Sequence, residues 1–309
     1  MLVDLEPGIR RLTLPLPTGP KHVHCYLVRS GDGSWLLVDT GMGYSSDDGS
    51  QFALDVPVSR IVITHFHPDH VGGAAAAREL TGARVHQGAL DYAQCVRVWG
   101  SDDWPERIAE WFDLNGVPPE VMLDLIDGGR VYASFIRYAT DPELLYEGDE
   151  VDGWQVLELP GHADGHIALL REDVLIAGDC LLSPITPAVG LWPESRPDPL
   201  GDYLRTLERI AELGPRLVLT GHGEPIEDPP ARCAEVLRHH GKRLDETQAL
   251  LDGRPRSGYD VSLRLFGTRL EPMQRRFAVA ETLSHLERLA REGRARRGST
   301  DGTVTYTAR

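Results

Sequence analysis

The run Thr64-His-Phe-His-Pro-Asp-His70 constrains this chain more than any other feature. Three imidazoles and a carboxylate packed into six positions are a density that metal binding explains and an ordinary polar loop does not. The run also stands where a site is easily built. Arg60-Ile-Val-Ile-Thr64 has the β-branched, uncharged middle of a short buried strand. Val71-Gly-Gly-Ala-Ala-Ala-Ala-Arg-Glu-Leu80 predicts a helix entered through small residues. Alternation along an extended chain points His65 and His67 to one side, so they can share an ion. Asp69 and His70 follow the turn at Pro68, face elsewhere and suit a second ion nearby.

Other candidate ligands stand at the ends of later apolar runs. Trp154-Gln-Val-Leu-Glu-Leu159 alternates like a strand and ends in Pro160-Gly-His-Ala-Asp-Gly-His166. Val174-Leu-Ile-Ala177 ends in Gly178-Asp-Cys180, and Arg216-Leu-Val-Leu-Thr220 ends in Gly221-His-Gly223. An earlier case is Trp35-Leu-Leu-Val-Asp39-Thr-Gly41. Glycine beside a ligand lets the backbone turn sharply and approach closely. One acid or histidine after a strand is usually loop decoration. Five in series, at the carboxyl ends of strands in an α/β pattern, mark the place where open α/β sheets put their sites.

These residues resemble the metallo-β-lactamase superfamily, whose five motifs stand here in order: Asp39, His65-x-His67-x-Asp69-His70, His162, Asp179 and His222. The resemblance covers about residues 8 to 228. It implies an α/β fold, a four-layer αβ/βα sandwich with a dinuclear metal centre at the edge between two sheets. It also implies that His65, His67 and His162 hold one metal, that Asp69, His70 and His222 hold the second, and that Asp179 bridges them. Two zinc ions about 3.5–4 Å apart can share a water and lower its pKa to near 7, giving hydroxide at neutral pH. Manganese or iron would also accept these N and O ligands. Asp69 is expected to orient the hydroxide and pass a proton to the leaving group. Asp39 is expected to hydrogen-bond a ligand imidazole and fix its tautomer. His166 is assigned a supporting role beside the ligands, since a further protein ligand would close the open position that catalysis needs.

Composition bounds the setting. The 309 residues carry a net charge of −15, and no apolar run approaches the roughly 20 residues needed to span a bilayer. Met1-Leu-Val-Asp-Leu-Glu-Pro-Gly lacks the features of a secretory signal. Four scattered cysteines without paired spacing suggest reduced thiols. A cytoplasmic enzyme with no membrane partner is expected, and an exported antibiotic-hydrolysing β-lactamase is disfavoured.

The charge is unevenly spread. Residues 1–230 carry 16 basic and 37 acidic side chains, and residues 231–309 carry 16 and 10. A domain boundary near Pro229-Pro230 follows, giving a catalytic domain over 1–230 and a second domain over 231–309. The tail predicts three helices and a two-stranded wing, the outline of a winged helix. With Arg275, Arg276, Arg288, Arg291, Arg294, Arg296 and Arg297, it resembles the β-lactamase-like endoribonucleases with a C-terminal winged helix, a branch that also suggests glyoxalase II-like hydrolases. Single-stranded RNA is therefore one candidate substrate. A non-enzymatic DNA-binding ligand sensor is a weaker alternative, because a sensor needs no full ligand set. The favoured role for the tail is packing on the catalytic domain, walling the substrate cleft or forming a homodimer, since the acidic catalytic half repels phosphate backbones.

Residues 96–150 form an aromatic-rich insertion between metal motifs. Trp104-Pro-Glu-Arg-Ile-Ala-Glu-Trp-Phe-Asp113 predicts an amphipathic helix opening at Pro105. The insertion reads as a lid or as a satellite core. As a lid, it would bring Trp104, Trp111 and Phe112 to the substrate. The expected activity is hydrolysis of a small ester, lactone or thioester.

Overall fold

Two sheets, each apolar on both faces, organise the chain. The computed structural model describes residues 1–17, 19–43 and 54–309. Among them, the first sheet holds β1 (Leu2–Glu6), β2 (Ile9–Pro15), β3 (His22–Arg29), β4 (Trp35–Val38), β5 (Val58–Ile63), β6 (Arg84–Gly88) and β7 (Glu143–Leu145), in that spatial order. It is antiparallel from β1 to β4 and parallel from β4 to β7. The second holds β8 (Glu150–Val151), β9 (Trp154–Glu158), β10 (Ile167–Arg171), β11 (Val174–Gly178) and β12 (Leu217–Thr220), ordered β12-β11-β10-β9-β8.

Strand alternation assigns the layers. Tyr26, Val28, Leu36, Val38 and Val62 point inward and meet Trp154, Val156, Leu169, Ile176 and Leu219 of the second sheet. Leu27, Leu37, Ile61 and Ile63 point outward into a separate core. That core packs on α1 (Pro68–Val71), α2 (Ala74–Thr81) and α3 (Ala89–Trp99), through Val71, Ala74, Ala77 and Cys95. The outer face of the second sheet is covered by α6 (Pro199–Leu213) and by the helices that follow. The result is the expected four-layer αβ/βα sandwich.

One expected boundary moved. The helix predicted from Val71 opens at Pro68, whose fixed φ suits the first helical position, so Asp69 and His70 are themselves helical. The helix then breaks at Gly72 and Gly73. A Cβ on Gly72 would lie 2.4 Å from the Pro68 carbonyl oxygen and 2.7 Å from that of Met42.

The insertion forms α4 (Trp104–Leu114) and α5 (Pro119–Ala133). The tail forms α7 (Pro229–Ala249), α8 (Gly258–Phe266) and α9 (Pro272–Arg291), with a sheet of β13 (Arg256–Ser257), β14 (Ala295–Thr300) and β15 (Thr303–Ala308) ordered β13-β15-β14. Insertion, tail and second sheet share one core, in which Phe112, Leu125, Val218, Val279 and Leu283 are buried together. The Leu191 amide donates to the Ala280 carbonyl at 3.0 Å, and Ser284 Oγ donates to the Val189 carbonyl at 2.6 Å. These bonds tie α9 to the loop that precedes α6. No described helix is long and apolar enough to cross a membrane.

Trp154 is 0% exposed between the two sheets. Trp154→Ala should lower the unfolding free energy by about 3–5 kcal/mol through lost transfer energy and the cavity left behind. The urea midpoint of the variant checks it.

Candidate metal centre

The two sheets are fastened to each other at one edge. The His24 amide donates to the Gly221 carbonyl at 2.7 Å, Tyr26 OH to the Thr220 carbonyl at 2.7 Å, and the Ile167 amide to the Thr64 carbonyl at 2.9 Å. The loops leaving β4, β5, β9, β11 and β12 converge at this edge and bring the sequence-predicted ligands together.

Asp39 follows β4 in the left-handed region at φ 63, a strained conformation for a residue with a side chain. Its carboxylate accepts from the Thr64 amide at 2.8 Å and from Thr64 Oγ1, which fixes the end of β5. It also accepts from His70 Nδ1 at 2.8 Å. That bond turns His70 Nε2 toward Asp179, 3.4 Å away.

The other imidazoles are held similarly. His162 Nδ1 donates to the Ala188 carbonyl at 2.8 Å, and His222 Nδ1 to the His22 carbonyl at 2.7 Å. His65 Nδ1 lies 3.0 Å from Thr64 Oγ1. In each case the remaining Nε2 is left for the interior of the cluster. Oriented imidazoles of this kind are what a metal site requires. His67 Nδ1 and His162 Nε2 approach to 2.8 Å, and His222 Nε2 lies 3.2 Å from both Asp69 and Asp179.

Among the described residues, three overlapping groups of donor atoms result: His65, His67 and His162; His65, His70 and Asp179; and Asp69, His70 and His222. The first and third are the sets that the sequence implied. Asp179 reaches donors of both, at 3.7 Å from His162 and 3.2 Å from His222. Among the described residues, His65 Nε2, His70 Nε2 and one Asp179 oxygen are buried without a well-formed hydrogen bond, the last two lying 3.4 Å apart. Buried polar atoms rarely stay unpaired, and all three face this cluster, so the residues fit a bound cation.

His166 stands beside the ligands, outside those three groups. Its Nε2 accepts from the Asp179 amide at 3.1 Å, and its ring stacks on His65 with centroids 4.7 Å apart. It positions Asp179 and His65. Glycines give the ligands room. A Cβ on Gly178, at φ +50, would lie 2.7 Å from Thr64 Oγ1, and one on Gly221 would lie 2.2 Å from an Asp179 oxygen.

The electrostatics divide the cluster. Burial, and then the neighbouring His70 and His67, push His65 well below the ordinary imidazole range. Burial and then His162 push His67 down to about 3. His70 goes the other way. Burial opposes its charge, but Asp179, Asp39 and Asp69 outweigh that and lift it well above the ordinary range. His222 rises to about 10 against burial, through Asp179 and then Asp69. Neutral imidazoles thus stand beside carboxylates that draw in positive charge. A divalent ion satisfies both, because its ligands are neutral histidine and ionised aspartate.

The sequence matches the family description "Metallo-beta-lactamase superfamily" over residues 18–222 and "Metallo-beta-lactamase-like, C-terminal domain" over residues 244–309. The chain belongs to the metallo-beta-lactamase superfamily. A "metallo-beta-lactamase family protein" from Thermus thermophilus has 38% identity and a TM-score of 0.85, covering 99% of this chain and 100% of that one. A "Beta-lactamase domain protein" from Burkholderia ambifaria has 28% identity and a TM-score of 0.86, covering 100% and 94%. Among curated proteins, the "Probable metallo-hydrolase YqjP" of Bacillus subtilis is 29% identical over 91% of this chain and 92% of its own length.

Some residues that shape the site were not legible in sequence. Asp91 is fully buried. It accepts from the Phe66 amide at 2.9 Å and from Gln87 Nε2 at 2.6 Å, while Trp99 Nε1 donates to the Phe66 carbonyl at 2.8 Å. The residue between His65 and His67 is therefore pinned on both sides. Asp91 reads locally as an ordinary acid in a first helical turn, so nothing in its surroundings signals this role.

The insertion residues separate. Trp104 lines a cavity of about 650 Å³ that also receives His67, Asp69 and His162. Trp111 instead stacks on Trp192 with centroids 5.7 Å apart, and Phe112 is 0% exposed in the shared core. Neither is among the described lining residues. Contact of Trp111 and Phe112 with substrate is thus corrected: on α4 they face the core that α5 and α9 complete. Trp99, Trp192 and Phe277 line the cavity where those two were expected to.

Asp39→Asn keeps the shape but loses the charge that orients His70 and can present the wrong hydrogen-bonding end to it. Metal affinity should fall about 10–100-fold. Competition with a chromophoric chelator measures this.

Proposed function

We propose that this chain is a metal-dependent hydrolase, using two zinc ions to open a small ester, lactone or thioester. One observation carries the reading: the His/Asp cluster stands in the wall of a largely apolar cavity of about 650 Å³, within the size range of small-molecule sites. His65, His67 and His162 would hold one ion and Asp69, His70 and His222 the other, with Asp179 between them. Ions so held supply a Lewis acid for a carbonyl oxygen and a water whose pKa falls to near 7. Manganese and iron suit the same N and O donors.

The protein's own groups do the rest. Asp69 is the carboxylate of the cluster that also lines the cavity. It takes the proton of the attacking water at a carboxylate oxygen and returns it to the leaving oxygen or sulfur. The water oxygen joins the acyl carbon, the bond to the leaving group breaks, and an acid and an alcohol or thiol result. Phe66, Trp99 and Trp192 hold the apolar part of the substrate and keep bulk water from it. Cys25, Cys95, Cys180 and Cys233 are buried free thiols, which supports a reducing, cytoplasmic setting.

Residues 231–309 then serve as a winged-helix-like domain that walls the cavity. The arginines support this over nucleic-acid binding. Arg275 and Arg276 are buried. Arg288 pairs with Asp198 at 3.1 Å, Arg294 with Asp245 at 2.6 Å and Arg297 with Glu287 at 2.8 Å. Such pairs leave less charge for a phosphate backbone.

Elemental analysis of the purified protein should find two transition-metal ions per chain, and one ion after saturation would remove the dinuclear assignment. Asp179→Ala should lose metal and esterase activity together, whereas His166→Ala should retain more of both.

Replacing Arg294, Arg296 and Arg297 together by Gln should leave kcat/KM for a small ester nearly unaltered. If single-stranded RNA is the substrate, the same change should weaken binding and flatten its salt dependence. Ester assays and RNA binding at several salt concentrations decide between the two.

A further inference from the structure

Arg276 is placed unlike the other arginines of the tail described above. It lies on α9, is 9% exposed and lines the same cavity as His67, Asp69 and His162. Its guanidinium carbon lies 4.8 Å from the ring centre of Trp104 and 5.2 Å from that of Trp192. Its hydrogen bond runs from Nη1 to the Leu125 carbonyl at 3.3 Å. Among the described residues no carboxylate pairs with it, whereas Arg288, Arg294 and Arg297 each meet one. Burial alone moves it, down to about 10, so it remains a cation at neutral pH.

A buried charge without a counter-ion is costly. Contact with two indoles offsets part of the cost through the ring quadrupoles and restricts the guanidinium plane. What remains is an N–H edge with donors to spare, in a chamber whose walls are otherwise mostly apolar. A guanidinium edge matches a planar carboxylate with two parallel hydrogen bonds. The Arg276 guanidinium answers one negative charge, and Lys21 lines the same cavity. Asp69, Asp164, Glu194 and Glu271 line the same cavity and disfavour a ligand of higher charge.

We infer that Arg276 is a specificity-determining residue that anchors a free carboxylate on the substrate, remote from the scissile bond. Resting on the hydrolase reading above, the substrate class becomes a carboxylate-bearing acyl ester or thioester: an apolar chain with its reactive carbonyl at the His/Asp cluster and a carboxylate at Arg276. Trp104 and Trp192 hold the guanidinium in place, and Met273 and Phe277 contribute apolar wall from the same helix.

The test is calorimetric titration of the metal-loaded protein with straight-chain dicarboxylates from about six to about twelve carbons, each against the monocarboxylate of equal length, a span suited to a site of this size. Both ligands offer one carboxylate to the metals, so their difference reports the second. Wild type should bind the best-fitting dicarboxylate about tenfold or more tightly than its monocarboxylate, as expected for a hydrogen-bonded charge pair. Arg276→Gln should bring that ratio to about one and leave monocarboxylate affinity within about twofold. Arg276→Lys keeps the charge without the fork and should give an intermediate ratio. A ratio near one in wild type at every length, or one that survives Arg276→Gln, overturns the inference. If Arg276→Gln does not fold, an unchanged ratio in Arg276→Lys overturns it. Thioesters of the same acids are assayed in parallel. Failure to hydrolyse any of them, with the binding ratio intact, would count against the hydrolase reading and leave the carboxylate anchor standing.

Discussion

The Asp39 carboxylate couples the strand framework to the candidate metal centre. One side chain accepts hydrogen bonds from the Thr64 amide, from Thr64 Oγ1 and from His70 Nδ1. It thereby fixes the point at which β5 ends and the orientation of the helical histidine that follows. Thr64 extends the arrangement by contacting His65 Nδ1 at 3.0 Å. The left-handed backbone of Asp39 is a local cost offset by this bonding. A buried carboxylate with three such partners is compatible with the interior only because each is well placed. If the β4 end moved, His65 and His70 would move with it, and each group of candidate donors would lose a member.

The second organising feature is the shared core beneath the cavity. α4 and α5 of the insertion do not flap freely over the site, because Ile108, Phe112 and Leu125 are buried with Val279, Leu283 and Leu286 of α9. Insertion and tail therefore act as one wall. That wall has two sides: Phe112 is buried in the core, while Trp104 reaches the cavity. Trp104 and Trp111, seven residues apart, share nearly the same face of α4, so position along the helix and not its period separates them: Trp104, in the first turn, reaches the cavity.

Counting charges does not show where they lie. Seven arginines between residues 275 and 297 suggest a phosphate-binding surface, yet several are consumed within the fold. Arg288 reaches Asp198 ahead of α6, and Arg294 and Arg297 meet acids on α7 and α9. Opposite charges distant in sequence become neighbours only after the helices pack. The same folding that pairs these arginines leaves Arg276 between two indoles without an acid.

The candidate metal ligands were legible from sequence because each stands just after an apolar strand: His65 to His70 in one dense run, and His162, Asp179 and His222 each behind a glycine. Strand periodicity fixes which residues share a side, so His65 and His67 could be assigned to one ion without coordinates. The sandwich followed from the same motifs, through their resemblance to a known family. What the sequence could not decide depends on packing between distant segments. Asp91 supports Phe66 across 25 positions, and the cavity joins the β5 loop to α9. Trp111 and Phe112 have the composition of substrate contacts but face inward. Local pattern specifies elements and donors, because backbone periodicity acts over a few residues. Tertiary structure alone decides which aromatic faces the cavity and which cations meet an acid, because both depend on where separate helices meet.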